Sequence, residues 1–289
     1  MPDWSYRTIF QPVLFRLPAE TGRAVALGVM GKLGRSRFGR HVIEFMGHFR
    51  LDPALEIEYD NVTFASPVGL GCRLDPQLRA HEALSQFGFG LIELGPVTGS
   101  PLEARTLKVD SVQETITVSP TEECIPLYRA RSILERGLDL PILIRVQSDD
   151  STAADVIGEL AEYATGIILV GNPTEELVNL VRQQETRLLL HVTRETLPQL
   201  TALVTQFHPD GFCVEGRIAS EDNELVIGKS ACKSTESLVS EVRDELGEDP
   251  LVIATGGIHD PQDALNLVDR GADLVLVDSG LTFSGPGLP

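Results

Sequence analysis

The chain has 289 residues, of which 42% are hydrophobic, and this suits either one large α/β barrel or two small domains. Its formal net charge is −18, yet residues 1–50 carry a net +5 and the rest −23, so the acidic body would repel the phosphates of nucleic acid. Cys72, Cys124, Cys213 and Cys232 have neither metal-ligand nor redox spacing, and no signal peptide or long apolar run is present, so we expect reduced thiols, no metal site and a cytoplasmic protein, soluble or peripheral.

Residues 1–50 form a basic head with two predicted short amphipathic helices. Apolar residues cluster between Ile9 and Phe15, and Pro18–Thr21 is a plausible helix start. A second apolar face follows between Leu27 and Leu33, with basic residues just beyond it. Such helices either cap the domain that follows or lie in a membrane interface, and the pattern leaves both roles open.

The remainder, residues 51–289, alternates short apolar strands with helical patterns, and the one predicted domain boundary lies near residue 50. Parallel strands that are buried on both faces read as continuous apolar runs, so eight of them with crossover helices predict a (β/α)₈ TIM barrel. The predicted strands are Val68–Cys72, Leu91–Gly95, Pro141–Val146, Gly166–Val170, Arg187–Val192, Gly211–Val214, Leu251–Gly256 and Leu274–Ser279.

The longest gap, between Pro96 and Leu140, departs from this alternation. Its segment "RTLKVDSVQETITVS" alternates apolar and polar residues, which predicts a β-hairpin at the C-terminal mouth of the barrel.

Two glycine turns follow the last two strands. The seventh strand runs into Gly256-Gly257, ahead of a helix start at Asp260-Pro261, and the eighth runs into Ser279-Gly280. Loops at these two places commonly bind a phosphate through backbone N–H groups and a helix N-terminus. The turns therefore predict either a phosphate cup or plain turn chemistry.

The residues resemble a known family in order along nearly the whole chain. "YRTIFQPVLFRLPAETGRAVAL", "DNVTFASPVGLGCRLD", "GFGLIELGPVT", "KSTE" and the final "VIATGGIHDPQDALNLVDRGADLVLVDSGLTFSGPGLP" look like class 2 dihydroorotate dehydrogenases. The resemblance implies an FMN-dependent barrel that oxidises dihydroorotate to orotate and passes electrons to a membrane quinone through the helical head. It favours contact of the head with the inner membrane.

Several working residues that the resemblance implies are replaced. Pro76 stands where the family has its substrate-binding lysine, and Arg73 stands where a glycine lies against the flavin. Pro96 replaces a hydroxyl at the flavin edge, and Arg145 replaces a substrate-binding asparagine. The family's asparagine-rich N-R-M-G-F-N-N falls on "ETITVSP", residues 114–120, which contains no asparagine.

The catalytic base and the flavin-binding lysine are also replaced. Gly171 occupies the position of the family's serine base, and Thr174 is the only hydroxyl at the far end of that loop. His191 aligns with the lysine that stabilises reduced flavin, and either keeps a hydrogen bond to a ligand or fills space. Glu215-Gly216 replaces a Thr-Asn pair, and Gly228 with Ser230 aligns with a glycine-containing loop beyond it. The FMN-binding candidates are therefore Gly228, Gly256, Gly257, Ser279, Gly280 and His191, with no catalytic residue assigned.

Arg73, Arg145 and Glu215 would share the barrel mouth, where they pair with one another, hold a small anion or face solvent.

The resemblance also implies a final helix after Pro289, so the chain continues or a protein partner covers that side. Two hypotheses follow. The first is a catalytically degenerate barrel, a binding or regulatory module with a vestigial phosphate cup. The second is an FMN oxidoreductase acting on dihydroorotate or an altered substrate.

Overall fold

The computed structural model describes residues 6–39, 41, 43, 52–102, 107–118, 122–219, 224–285 and 287–288. A π-helical turn at Tyr6–Phe10 leads into the short helix α1 (Gln11–Leu14) and the long helix α2 (Ala19–Arg35). A small antiparallel hairpin, β1 (Ile57–Tyr59) with β2 (Val62–Phe64), then precedes the barrel. The predicted domain boundary near residue 50 lies outside the described residues, as do Ser119 and Pro120 of the segment that replaces the family's asparagines.

All eight predicted barrel strands are present and close into a ring. They are β3 (Val68–Leu70), β4 (Ile92–Thr98), β8 (Ile142–Gln147), β9 (Gly166–Val170), β10 (Arg187–Val192), β11 (Gly211–Glu215), β14 (Leu251–Thr255) and β15 (Leu274–Val277). The pairings are parallel throughout, and β3 contacts both β15 and β4, which completes the barrel. The predicted (β/α)₈ TIM barrel is therefore confirmed.

Helices join the strands at nearly all the predicted places. They are α3 (His81–Leu84), α4 (Leu127–Leu134), α5 (Ala153–Leu160), α6 (Glu175–Gln183), α7 (Leu200–Phe207), α8 (Cys232–Leu246), α9 (Pro261–Asp269) and α10 (Gly280–Ser284). Short 3₁₀ turns occur at Pro53–Leu55, Ala161–Tyr163, Leu197–Gln199 and Lys229–Ala231. None of the described helices is long and apolar enough to cross a membrane.

The first crossover helix is shorter than its pattern predicts. The sequence favours a helix across "LRAHEALSQFG", but α3 is a single turn. Asp75 accepts the N–H groups of Arg79 and Ala80, and Leu78 has a left-handed φ of +50°. These local bonds hold the segment before α3 in a turn, because they occupy backbone donors ahead of the helix.

The predicted mouth hairpin is present and belongs to a larger sheet. Strand β5 (Leu107–Asp110) pairs with β6 (Thr115–Val118) in antiparallel register. Strand β13 (Leu225–Gly228) adds to β6, and β12 (Ile218–Ala219) adds to β13. This four-stranded sheet was only half predicted, because it joins segments more than 100 residues apart. Strand β7 (Ile125–Pro126) pairs with the end of β4.

The head packs on the barrel through backbone contacts. A Cβ at Gly31 would lie 2.3 Å from the carbonyl oxygen of Arg79, and one at Gly34 would lie 2.6 Å from the amide nitrogen of Ala83, so glycine is what lets α2 approach α3. The Tyr6 hydroxyl donates to the carbonyl of Thr282 at 2.6 Å. Both ends of the described chain thus meet at one side of the barrel mouth.

Candidate functional site

The C-terminal ends of the barrel strands carry a network of charged side chains. Arg73 follows β3, Glu93 lies in β4, Arg145 in β8 and Glu215 at the end of β11, while Glu122 comes from the segment before β7. Glu93, Arg145 and Glu215 lie in strands, whose successive residues alternate between the interior and the exterior of the barrel, whereas Arg73 and Glu122 reach the mouth from the segments that follow β3 and precede β7. The mouth thereby brings together the three charges that the sequence predicts there, together with two glutamates that it does not.

Arg73 spans the mouth from the first barrel strand to the sixth. Its Nη2 donates to Glu215 Oε2 at 3.1 Å, and its Nη1 lies 2.6 Å from Glu215 Oε1 as a charge contact. Nη2 also contacts Glu122 Oε1 at 2.6 Å. Burial alone would raise the pKa of Glu215, but Arg73, the hydrogen bond from His191 and Arg145 together outweigh it and hold that pKa well below its ordinary value. Glu215 is therefore ionised at neutral pH.

Arg145 forms the deepest pair of the network. It is 1% exposed, and its Nε donates to Glu93 Oε1 at 2.6 Å. Its Nη1 lies 3.5 Å from Glu215 Oε2 but has no hydrogen-bond partner among the described residues. The other oxygen of Glu93 accepts the N–H of Cys72 at 3.1 Å. Of the three arrangements left open by the sequence, the structure shows mutual pairing of the charges.

His191 supplies a neutral hydrogen-bond donor to this network. Its Nε2 lies 2.6 Å from Glu215 Oε2, and the acceptor assigns the proton to Nε2. Burial lowers the pKa of His191, and this outweighs the opposing effect of Glu215. The imidazole is therefore uncharged at pH 7, unlike the lysine that the resemblance implies at this position.

Asp278 closes the network on the side of the last strand. Its Oδ1 accepts the N–H of Arg73 at 2.9 Å and its Oδ2 accepts the Thr255 hydroxyl at 3.1 Å. The pKa of Asp278 is raised to about 6, because the effect of burial is larger than the opposing effect of the nearby Arg73. A Cβ at Gly71 would lie 2.3 Å from Asp278 Oδ1, so glycine at that position makes room for the carboxylate.

The predicted glycine turns face protein rather than open space. A Cβ at Gly257 would lie 2.2 Å from the Cys232 amide nitrogen, and one at Gly280 would lie 2.0 Å from the Ile258 carbonyl oxygen. Gly256 lies close to the carbonyl of Gly216. Both residues of the Gly256-Gly257 turn have positive φ, +111° and +85°, which L-residues rarely adopt.

Gly228 lies in the mouth sheet, directly before the 3₁₀ turn Lys229–Ala231, whose end packs on Gly257. It pairs with Thr115, and a Cβ there would lie 2.3 Å from the carbonyl oxygen of Glu114. The structure therefore brings Gly256, Gly257, Ser279 and Gly280 together and places Gly228 at the edge of the hairpin. The role of these residues in binding FMN stays a prediction.

Ser279 has a partner that the sequence did not indicate. His259 Nε2 lies 2.9 Å from Ser279 Oγ, and His259 Nδ1 lies 3.2 Å from Glu114 Oε2. Sequence reasoning assigned no role to His259, although a histidine directly after a Gly-Gly turn at a barrel mouth was a usable signal. Glu93 carried a similar signal, because it is an acidic residue inside a continuous apolar strand.

A cavity of about 1000 Å³ separates the head helices from the barrel mouth. Its walls are mainly apolar side chains of the π-helical turn, α1, α2, α3, β5 and β6, such as Phe10, Met30 and Val109. Arg73, Glu122 and Ser279 lie on its barrel side, so part of the polar network and Ser279 border an apolar chamber. Within the described residues, no cluster of His, Cys, Asp or Glu side chains is arranged to hold a metal ion.

Comparisons with known proteins agree with the fold. No family model matches the chain. It is 27% identical to the dihydroorotate dehydrogenase (quinone) of Acidithiobacillus ferrooxidans over 97% of its length and 91% of the relative, and 27% identical to that of Thermobifida fusca over 98% and 89%. The structure of dihydroorotate dehydrogenase from Eimeria tenella, solved with ferulenol, superposes with a TM-score of 0.71 at 16% identity, covering 86% of this chain and 87% of that one. The resemblance to class 2 dihydroorotate dehydrogenases is thus confirmed along nearly the whole chain.

Proposed function

We propose that this dihydroorotate dehydrogenase-like barrel has lost dihydroorotate oxidation and FMN binding and acts as a binding module for an apolar ligand. The observation that carries the proposal is the ion pair between Arg73 and Glu215 across the barrel mouth. The relatives are named for an enzyme that reduces a quinone, so the same chemical class, a lipophilic ring compound, is the ligand proposed for the cavity.

FMN does not fit the residues present at the mouth. The resemblance implies that a flavin ring lies against position 73 and that substrate contacts position 145, and the side chains now at these two positions both form ion pairs with Glu215. A ring there would separate Arg73 from Glu215, which is 1% exposed and would lose its closest cation. Removing one partner of a buried ion pair costs about 3 to 5 kcal/mol.

The chemistry of dihydroorotate oxidation is also missing. It requires a base that removes a proton from the substrate beside the flavin. Gly171 has open space around it and offers no such group. The nearest hydroxyl in the loop, Thr174, accepts the N–H of Leu177 and caps α6, so it already serves the helix N-terminus.

The exposed apolar side chains of the head support a peripheral membrane location. Five residues that line the cavity are still exposed by 45% or more, so the cavity is open on the side of the head: Ile9, Phe10, Val13, Val25 and Val29. A basic segment with an exposed apolar face binds anionic membranes both by burying apolar surface and by electrostatic attraction to the lipid headgroups. We propose that the head lies on the inner membrane and that a lipophilic ligand enters the cavity between its helices.

The experiment is an FMN titration of the purified protein, followed by visible absorbance and calorimetry, together with an assay for orotate from dihydroorotate and a lipophilic quinone. We expect a colourless protein, no saturable FMN binding and no orotate with or without added FMN. Saturable, stoichiometric binding with flavin absorption bands would contradict the proposal that FMN does not fit the mouth. Orotate formation would contradict the proposed loss of dihydroorotate oxidation.

Ligand binding is tested separately with a lipophilic quinone, monitored by quenching of intrinsic fluorescence. The matched pair of variants is Val109→Glu, which places a charge on the cavity wall, and Val112→Glu, which places it at an 84% exposed position of the same hairpin. We expect binding to be lost in the first and kept in the second. Equal binding of the quinone by both variants would exclude the cavity as its binding site.

A further inference from the structure

Three side chains at the barrel mouth are aligned as a nucleophile, a base and a carboxylate that orients the base. Ser279 Oγ, His259 Nε2, His259 Nδ1 and Glu114 Oε2 follow one another with gaps of 2.9 Å and 3.2 Å. Three separate segments supply them: the turn after β15, the turn after β14, and the mouth hairpin. A serine hydroxyl bonded to an imidazole, itself oriented by a carboxylate, is the arrangement that activates serine for acyl transfer on unrelated folds.

The imidazole is held in one position. His259 is 2% exposed, and its ring stacks on Phe283 with the ring centres 5.2 Å apart. Its backbone N–H donates to Asp263, and its carbonyl accepts the hydroxyl of Ser284 at 2.5 Å. Burial lowers the pKa of His259, despite the opposing effect of Glu114, so the ring is neutral at pH 7 and can accept a proton.

The hairpin that carries Glu114 is placed by close backbone contact. Glu114 itself has a left-handed φ of +50°, and its carbonyl accepts the N–H of Lys229 at 3.2 Å. The absence of a side chain at Gly228 permits this approach. Lys229 Nζ lies 3.8 Å from Glu114 Oε2 and 4.0 Å from Asp260, so the carboxylate has a nearby cation as well as the imidazole.

Ser279 lines the cavity, while its base, His259, does not. Ser279 borders the 1000 Å³ chamber together with Leu281 and Thr282, whereas His259 and Glu114 are not part of that wall. The opposite walls are the apolar faces of the head helices. A substrate that fills this space must present a long apolar group and one reactive carbonyl next to Ser279.

We propose that Ser279, His259 and Glu114 hydrolyse carboxylic esters with an apolar acyl chain. Ser279 Oγ attacks the ester carbonyl carbon while His259 Nε2 accepts the hydroxyl proton. The ester C–O bond then breaks, and the leaving alcohol takes that proton. Water attacks the acyl-serine by the same route, which releases the carboxylic acid and restores the serine. The reaction consumes one water and needs no oxidant, so it does not depend on FMN.

The test must separate a nucleophile from a hydroxyl that only fills a buried polar site. We would treat the full chain, without FMN, with diisopropyl fluorophosphate and locate the adduct by mass spectrometry, and measure hydrolysis of p-nitrophenyl octanoate and acetate. The variants are Ser279→Ala and, as matched control, Ser148→Ala. Ser148 is another buried serine at the mouth, and its hydroxyl has no hydrogen-bond partner among the described residues.

We expect one adduct, on Ser279, in the wild type and in Ser148→Ala, and octanoate hydrolysed faster than acetate. Ser279→Ala should lose the adduct and lower hydrolysis about a thousandfold. Absence of an adduct in the folded wild type would overturn the proposal, whether or not the alanine variant folds. Hydrolysis that survives Ser279→Ala would overturn it as well. FMN binding, measured separately, would overturn the proposed loss of cofactor and leave the labelling result intact.

Discussion

The Arg145–Glu93 pair permits a quantitative test of the charged mouth. Both side chains are almost completely buried, and Nε and Oε1 are 2.6 Å apart. We would compare Arg145→Met, Glu93→Gln and the double variant. Methionine matches the arginine stem in shape, and glutamine keeps a carbonyl oxygen for the N–H of Cys72, so the changes remove charge with little change of volume.

Each single variant leaves one buried charge without its main partner. Arg145→Met leaves the Glu93 carboxylate without its cation, and Glu93→Gln leaves Arg145 with the 3.5 Å contact to Glu215 as its nearest ion pair among the described residues. Either should lower the free energy of unfolding by about 3 to 5 kcal/mol. The double variant leaves neither charge, and Glu215 keeps Arg73 and His191, so we expect it to lie within about 2 kcal/mol of the wild type.

The measurement is guanidinium unfolding at pH 7. The slope of the unfolding free energy against denaturant concentration should be the same in all four proteins, which checks that their native and unfolded states are comparable. The coupling energy of the cycle should be at least about 3 kcal/mol. If the double variant loses the sum of the two single losses, the two charges are not energetically coupled and the description of the mouth as a paired network is wrong.

Two further predictions concern the same region. Because the pKa of Asp278 is about 6 in the folded chain and 3.8 in the reference state, the folded form binds the proton more tightly, so stability is highest below pH 4 and falls as pH rises to 6. Relative to Asp278→Asn, the wild type should lose roughly 2.5 kcal/mol between pH 4 and 7, and a constant difference across that range in urea unfolding would contradict the assignment. Gly257→Ala should destabilise by about 2 to 5 kcal/mol, because its Cβ meets the backbone of Cys232 and φ is +85°. Gly137→Ala, with φ +83° and no atom within 4 Å of its Cβ, isolates the backbone cost and should lose only about 1 to 2 kcal/mol; equal losses would show that the contact carries no energy.

The barrel was predictable from the sequence because its strands are buried on both faces. Gly166–Val170 reads as a continuous apolar segment and Arg187–Val192 has an apolar centre, Leu188–Leu190, and these two strands were predicted to the residue. The hairpin was predictable from alternation. Its partner strand β13 was not, since alternation predicts a strand but not the distant strand with which it pairs.

The site was predictable in part. Alignment of strand ends placed Arg73, Arg145 and Glu215 at one mouth, and this rests on the geometry common to all such barrels. It could not show that Glu122 would complete the network, because Glu122 reaches the mouth from an irregular segment. The contact of His259 with Glu114 likewise joins residues 145 positions apart, and only the assembled fold brings them together.

The bond between Tyr6 and Thr282 bears on how the protein reaches its native state. These residues are separated by 276 positions, and Gln11 also donates to the distant carbonyl of Phe283. Contacts of such high sequence separation form late and slow the folding of a chain. During synthesis the head helices emerge before the barrel, so the contacts of Tyr6 and Gln11 can form only after nearly the entire barrel has been made. Until the last barrel strand is complete, these two residues therefore lack their native partners.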